Sequence, residues 1–105
     1  MTAAWEVQVT QTALQDLREA ARYMRDALGS PAAAREFVDA FSEQVALLEV
    51  FPEGRPLVRD YELAQAGYRW CSVGSFMLFY TLDEGRRQVF VERLLYGARD
   101  WKSLL

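Results

Sequence analysis

The sequence contains no histidine, one cysteine (Cys71) and one lysine (Lys102) among 105 residues. Each scarcity closes a class of chemistry. Zinc sites built on His or on several Cys are excluded. So are Ser-His-Asp and Cys-His catalysis. The commonest general base near neutral pH is absent. A lone cysteine rules out an intramolecular disulfide. No apolar run reaches the roughly 18 residues a transmembrane helix needs, so no membrane partner is expected. Met1 to Val9 has no basic segment leading into an apolar one, so no signal peptide is expected, and the default compartment is the cytoplasm. No cofactor or metal is implied.

What is present is ordinary for a soluble domain: 51% hydrophobic and 26% charged residues. One domain spanning 1–105 is expected, burying roughly 60–70% of its unfolded surface. The net charge of −3 is unevenly spread. Residues 1–53 carry 4 arginines against 9 acids, and residues 54–105 carry 8 basic residues against 6 acids. The helical half is therefore acidic and the second half mildly basic. An acidic balance disfavours strong non-specific nucleic-acid binding, which depends on neutralising phosphates.

Residues 4–9 alternate apolar and polar, as a half-buried strand does. Thr12 and Gln15 sit at capping-box spacing. Leu14, Leu17, Ala21, Met24 and Leu28 then predict one apolar helical face, with Gly29 as a left-handed stop. Ser30 can cap a second helix, and Pro31 suits its first position. Ala34, Phe37, Val38, Phe41, Val45 and Leu48 make its apolar stripe, ended by Pro52 and Gly54. So short a link implies an antiparallel helical hairpin. Residues 52–67 read as irregular. Tyr68–Val73, Phe76–Leu82 and Arg87–Tyr96 read as strands, with turns at Gly74-Ser75 and Asp83-Glu84-Gly85. The expected fold is α+β: a strand, a helical hairpin over one face of a small sheet, a three-stranded antiparallel meander (β-α-α-β-β-β) and a short C-terminal tail helix packed through Trp101 and Leu104.

Without histidine, a catalytic site must draw on arginine, tyrosine or carboxylates. The sheet half offers Arg69, Arg93, Arg99, Tyr68, Tyr80 and Tyr96. The planar arginine fork matches two phosphate oxygens. Tyrosine titrates near 10 and is a poor general acid–base group unless perturbed. The plainer reading makes Arg69 and Arg93 surface arginines paired with Glu92 or Asp60. Cys71 reads as a small buried hydrophobe. Trp70, Phe76, Phe79, Tyr80 and Phe90 present π-faces that can stack bases, although strand alternation assigns most of them to a core.

The order of elements and several stretches together resemble the RelE/ParE superfamily of toxins from type II toxin–antitoxin modules. These stretches are Thr10-Gln-Thr-Ala-Leu-Gln-Asp-Leu17, Phe51-Pro52-Glu-Gly-Arg-Pro56, Gly67-Tyr68-Arg69, Val73-Gly74-Ser75-Phe76 and Arg93-Leu94-Leu95-Tyr96-Gly97-Ala98-Arg99-Asp100-Trp101. The resemblance implies a cognate antitoxin whose disordered segment folds onto the toxin. It also implies one of two actions. RelE-like toxins cleave mRNA on the ribosome with clustered basic residues. ParE-like toxins inhibit DNA gyrase and have no nuclease site. A nuclease of this chain would use Arg69, Arg99 and Tyr96. Where that group carries further basic residues, this sequence has Cys71 and Met77. Neither can neutralise a pentavalent phosphate. The gyrase-directed reading is therefore preferred, with Arg93, Trp70 and Trp101 as candidate binding residues. A ribosome-dependent endonuclease is the alternative, and an inactive orphan interaction module is a third.

Overall fold

Strand β1 (Glu6–Val9) runs directly into helix α1 (Gln11–Arg22) because Thr10 serves both elements. Its amide donates to the Val91 carbonyl as a strand residue would, and its hydroxyl accepts from the Ala13 amide as an N-cap. The cap is thus Thr10, two residues before the Thr12 of the capping-box pair, while the helix starts at Gln11, within the expected span of about 11–28. The computed structural model describes residues 4–97 and 101–105.

After Arg22 the helix widens into a π-turn over Tyr23–Ala27, with the Leu28 amide reaching back to the Tyr23 carbonyl. Gly29 then takes φ +63°, and the Ser30 amide bonds the Met24 carbonyl. Ser30 caps helix α2 (Pro31–Val50) through the Ala33 amide, with Pro31 at its start, as the sequence predicts. No atom stands near where a Cβ would be on Gly29, so the left-handed φ alone sets the cost of a side chain there. Gly29→Ala is expected to lose about 1 kcal/mol, seen as a drop of several degrees in the thermal midpoint.

The segment read as irregular contains two short helical turns. One is a 3-10 turn at Pro52–Gly54, and the other is helix α3 (Tyr61–Gln65). Asp60 caps α3 through the Leu63 amide, and its carboxyl also receives the Lys102 ammonium at 2.9 Å. These donors hold the Asp60 carboxyl below its usual range, Lys102 contributing most. Asp60 is therefore engaged by the tail and by α3, not by the arginines the sequence suggested for it.

Strands β2 (Arg69–Val73), β3 (Phe76–Asp83) and β4 (Gln88–Tyr96) form the expected antiparallel meander. The strand β1 joins its far edge parallel to β4, giving the order β1-β4-β3-β2. The pairing of β1 covers only Gln88–Val91. Beyond it, α1 takes over the edge of β4: the Thr10 hydroxyl donates to the Glu92 carbonyl, and the Leu94 amide donates to Asp16 Oδ2 at 3.0 Å. The strand's exposed polar groups are thus answered by a helix.

A bulge falls between Phe79 and Tyr80, which pair with Arg93 and Val91. Glu92 is the additional residue. Simple alternation from Val89 and Val91 would put Arg93 on the hairpin side. The bulge moves it to the other side and returns Leu94 to the core.

The main core lies between the hairpin and the sheet. Phe37, Phe41 and Leu48 of α2 meet Cys71, Val73, Leu78, Tyr80, Val89, Val91 and Leu94. The buried residues of α1 are Ala13 and Ala20, with Leu17 and, in the π-turn, Met24 partly buried beside them, while Leu28 is 60% exposed. The buried face of α1 is thus turned by one position from the predicted stripe, because small alanines let the helix lie close to the sheet. A second cluster lies on the opposite face. There Val58, Phe79 and Leu95 are covered by Leu63, Tyr68, Trp70 and the tail residues Trp101 and Leu104. The tail forms a 3-10 turn over Trp101–Leu104, where a short helix was expected. Both faces of the sheet are therefore occupied, one by the hairpin and one by the 57–68 segment and the tail.

Candidate functional site

Arg69 opens β2 on the hairpin side, just beyond the end of α2. Its guanidinium donates to the carbonyls of Glu53 (3.3 Å) and Arg55 (2.6 Å). It fastens the turn after α2 to the sheet. Beside it the Tyr80 hydroxyl donates to the Pro52 carbonyl. Burial raises the Tyr80 phenol, Cys71 adds to the rise, and Arg69 and Arg55 partly oppose it. Arg69 therefore has bonding partners other than Glu92 or Asp60.

Cys71 faces the core and is 4% exposed. Burial pushes its thiol up to about 11. A thiol this protonated is a poor nucleophile. The folded protein is expected to resist iodoacetamide at about pH 8 and to label fully once unfolded in urea. The raised value also carries a sign. The folded state holds the proton more tightly than the unfolded chain, so this contribution to stability is full below about 9 and is lost as pH rises to about 11.

Cys71 pairs with Leu78, whereas Met77 pairs with Ser72. Cys71 and Met77 consequently point to opposite faces of the sheet. On the Met77 face stand Trp70, Ser72, Phe79, Arg93 and Leu95. Trp70 is half-buried in the second cluster, and Trp101 packs on Phe79 with ring centroids 5.3 Å apart.

Arg93 is the cation of that face. Its Nε and Nη2 donate to the two oxygens of Asp16 at 2.8 and 3.1 Å, and Nη1 donates to the Leu104 carbonyl at 2.8 Å. The bidentate pair is a strong one, and the Asp16 bond raises the Arg93 guanidinium further. Its carboxylate partner is Asp16, not Glu92. Glu92 sits in the bulge with its carboxyl raised by burial, an effect the Thr81 hydrogen bond opposes.

Tyr96 is on the hairpin side at the other end of the sheet. It pairs with Phe76, and the two rings meet edge-on at 5.6 Å. Arg69 pairs with Tyr80, four residues along β3 from Phe76. Arg69 and Tyr96 are thus about 13 Å apart along the strands and about 10 Å across them. Arg99 lies outside the described residues. Arg69, Arg93 and Tyr96 therefore occupy three separate places on the sheet.

A concavity lies elsewhere, between the hairpin and the turn end of the sheet. It is a groove of about 880 Å³. One wall is formed by Asp16, Glu19 and Ala20 of α1 with Tyr23 and Met24 of the π-turn, and the other carries Ala33, Glu36, Phe37 and Ala40 of α2. Phe76 and Leu94 form its floor, and Tyr96 stands at its mouth. Of these, the sequence points to Tyr96 as a site residue and to Phe76 as a stacking candidate. The available signal was small residues, Ala20, Ala33 and Ala40, on facing helical surfaces, where large ones would have filled the trough. No group of three or more metal-ligating side chains occurs among the described residues. No described helix is long and apolar enough to cross a membrane.

The fold has solved counterparts. The toxin–antitoxin complex RelBE2 from Mycobacterium tuberculosis contains a chain that superposes with a TM-score of 0.64 at 23% identity, covering 90% of this chain and 99% of that one. A chain of the chromosomal ParDE toxin–antitoxin system of P. aeruginosa superposes with a TM-score of 0.70 at 18% identity, covering 90% and 98%. No curated protein sequence matches the chain. Residues 7–101 match the family model described as ParE toxin of type II toxin-antitoxin system, parDE. Strand, hairpin, meander and match agree over nearly the whole length: the chain belongs to the ParE toxin family of type II toxin–antitoxin systems.

Proposed function

We propose that this toxin acts by binding its target, DNA gyrase first, without cutting RNA, and that a cognate antitoxin neutralises it in the cytoplasm. The observation that carries the reading is the dispersal of the cationic and phenolic groups. A ribonuclease without histidine must gather several cations around one phosphate. Here Arg69 is spent on two backbone carbonyls, Arg93 on Asp16, and Tyr96 stands at the far end of the sheet. Met77 and Cys71, at positions that are basic in ribonucleolytic relatives, point to opposite faces. The net charge of −3 also disfavours docking among ribosomal phosphates. That the similar solved chains come from toxin–antitoxin complexes supports the antitoxin partner.

Expression in bacteria, followed for both plasmid supercoiling and mRNA integrity, tests the mechanism. Growth arrest with gyrase-linked DNA damage and intact mRNA is expected. Codon-positioned mRNA cuts that vanish in Arg99→Ala would overturn the reading in favour of ribosome-dependent cleavage. Normal growth on expression, together with the lack of a neighbouring antitoxin reading frame, would instead mark an inactive interaction module.

A further inference from the structure

The acidic half of the chain carries a basic face. All four of its basic residues, Arg18, Arg22, Arg25 and Arg35, are exposed on the helical hairpin. Asp16, Glu19 and Glu36 of the same hairpin line the groove beside the sheet instead. The two signs are thus sorted onto different sides of the helices. Arg25 and Arg35 stand at the rim of another concavity, a seam of about 360 Å³ between the two helices that shares no residue with the groove. The half-buried Ala21, Ala34 and Val38 form its floor. Arg18 lies three residues before Ala21, and Arg22 four beyond Arg18, so both continue the cationic rim along α1. Arg25 is paired with Asp26 at 2.8 Å, yet 56% of its side chain stays exposed. Arg18, Arg22 and Arg35 form no ion pair among the described residues. Like charges gathered without counter-charges repel one another, and an anionic partner removes that cost.

The floor selects the kind of anion. A nucleic-acid backbone has no apolar group to lay on Ala21, Ala34 and Val38, and its dense charge is opposed by the net charge of −3 and by Asp39 in the seam. A helix with an apolar stripe and spaced carboxylates meets both features. The arginine fork matches a carboxylate with two bonds at once. From Pro31 to Asp39 the α2 side of the seam is about 12 Å long, which matches about two turns of a docked helix. We propose that this outer seam docks an acidic amphipathic helix of the target protein. Its apolar stripe would lie on Ala21, Ala34 and Val38, and its carboxylates would face Arg18, Arg25 and Arg35. The proposal rests on the target-binding reading above and deepens it, by naming the surface and the chemistry of the contact.

The test uses the full chain and three labelled peptides of about 18 residues. One is an amphipathic helix of leucine, alanine and glutamate. The second has lysine in place of each glutamate. The third has the composition of the first, scrambled to destroy the apolar stripe. The first is expected to bind with an affinity that falls as salt rises, and the other two to bind at least about tenfold more weakly. The double variant Arg18→Glu/Arg35→Glu is expected to lose about tenfold or more in affinity for the first peptide. The double variant Arg59→Glu/Arg86→Glu makes the same change in net charge away from the seam and is expected to bind as wild type. All four side chains are exposed, so both variants should keep the thermal midpoint. Equal binding of the three peptides, or equal losses in the two variants, would overturn the proposal. So would displacement of the first peptide by a DNA duplex of about 20 base pairs, which would mark a nucleic-acid face. In cells, Arg18→Glu/Arg35→Glu is expected to lose growth arrest and Arg59→Glu/Arg86→Glu to keep it. Full arrest with gyrase-linked damage by the first variant would overturn the proposal and leave the gyrase reading standing. Arrest by the wild type without such damage would remove gyrase as the target, and the peptide comparison would still decide what the seam holds.

Discussion

Replacing Asp16 by alanine is expected to lower folding stability by about 3 kcal/mol. One carboxylate here answers three donors: Nε and Nη2 of Arg93 and the amide of Leu94. Its removal strands a guanidinium whose side chain is 21% exposed and a strand amide that the helix had covered. Exposed ion pairs contribute at most about 1 kcal/mol, while breaking a fully buried pair costs about 3–5 kcal/mol. This pair is mostly shielded, and the orphaned amide adds its own desolvation cost of about 1–3 kcal/mol. In a domain of this size the thermal midpoint should fall by more than about 10 °C. Asp16→Asn keeps an acceptor for the Leu94 amide and loses the charge, so its loss should be about half as large. A Asp16→Ala midpoint within a few degrees of wild type would mean that the helix does not hold the strand edge through this side chain.

The same residue shows where sequence reading reaches its limit. Asp16 stands on α1 with nothing local to distinguish it from Glu19. Its importance comes from Arg93, 77 positions away, and from a bulge that turns Arg93 to the far side of the sheet. Features that depend on neighbours in the chain were legible. Ser30 and Pro31 start α2, Gly29 at φ +63° ends the first helix, and Gly74 at φ +57° turns β2 into β3. The second turn was read through Gly85, yet the left-handed residue there is Arg87 at φ +52°, whose guanidinium lies 4.7 Å from the Trp5 ring centroid. The Arg87 backbone is held by bonds from its amide to the Glu84 carbonyl and from the Glu6 amide to its own carbonyl, and the second of these comes from a residue some eighty positions earlier. Helix α3 was missed because five residues between Pro56 and Gly67 carry too little periodicity, although Asp60 three residues before Leu63 was a usable cap signal. The parallel addition of β1 to β4 has no local signature at all. The candidate site shares this division. Residue types were readable, but whether Arg69, Arg93 and Tyr96 meet is a question of register, and register sends them to three places. The groove was hidden for the same reason, since its lining comes from α1, the π-turn, α2, β3 and β4.

Phe79→Ala is expected to cost about 4 kcal/mol and to release the tail. Phe79 is fully buried, yet it lies on the sheet face away from the helical hairpin. Its ring is packed by Val58, Leu95 and Trp101, so truncation removes both buried area and the surface on which the tail rests. The chain carries a built-in reporter for that release. Lys102 is its single lysine and sits in the tail turn, so a lysine-specific protease cuts the folded protein at one place. Lys102 is bonded to Asp60, and the neighbouring Leu104 carbonyl to Arg93, so cleavage needs the tail to open. In Phe79→Ala, faster cleavage at Lys102 should accompany a fall in thermal midpoint of more than about 15 °C. Trp101→Ala separates the two effects. Trp101 is only partly buried, so its loss should speed cleavage while lowering the midpoint much less. If Phe79→Ala lowered the midpoint no more than Trp101→Ala, the second face would be a cover of the sheet and not a core. If it lowers the midpoint as expected, the sheet is held from both sides, and its central strand β3 owes its rigidity to the tail side as well as to the hairpin.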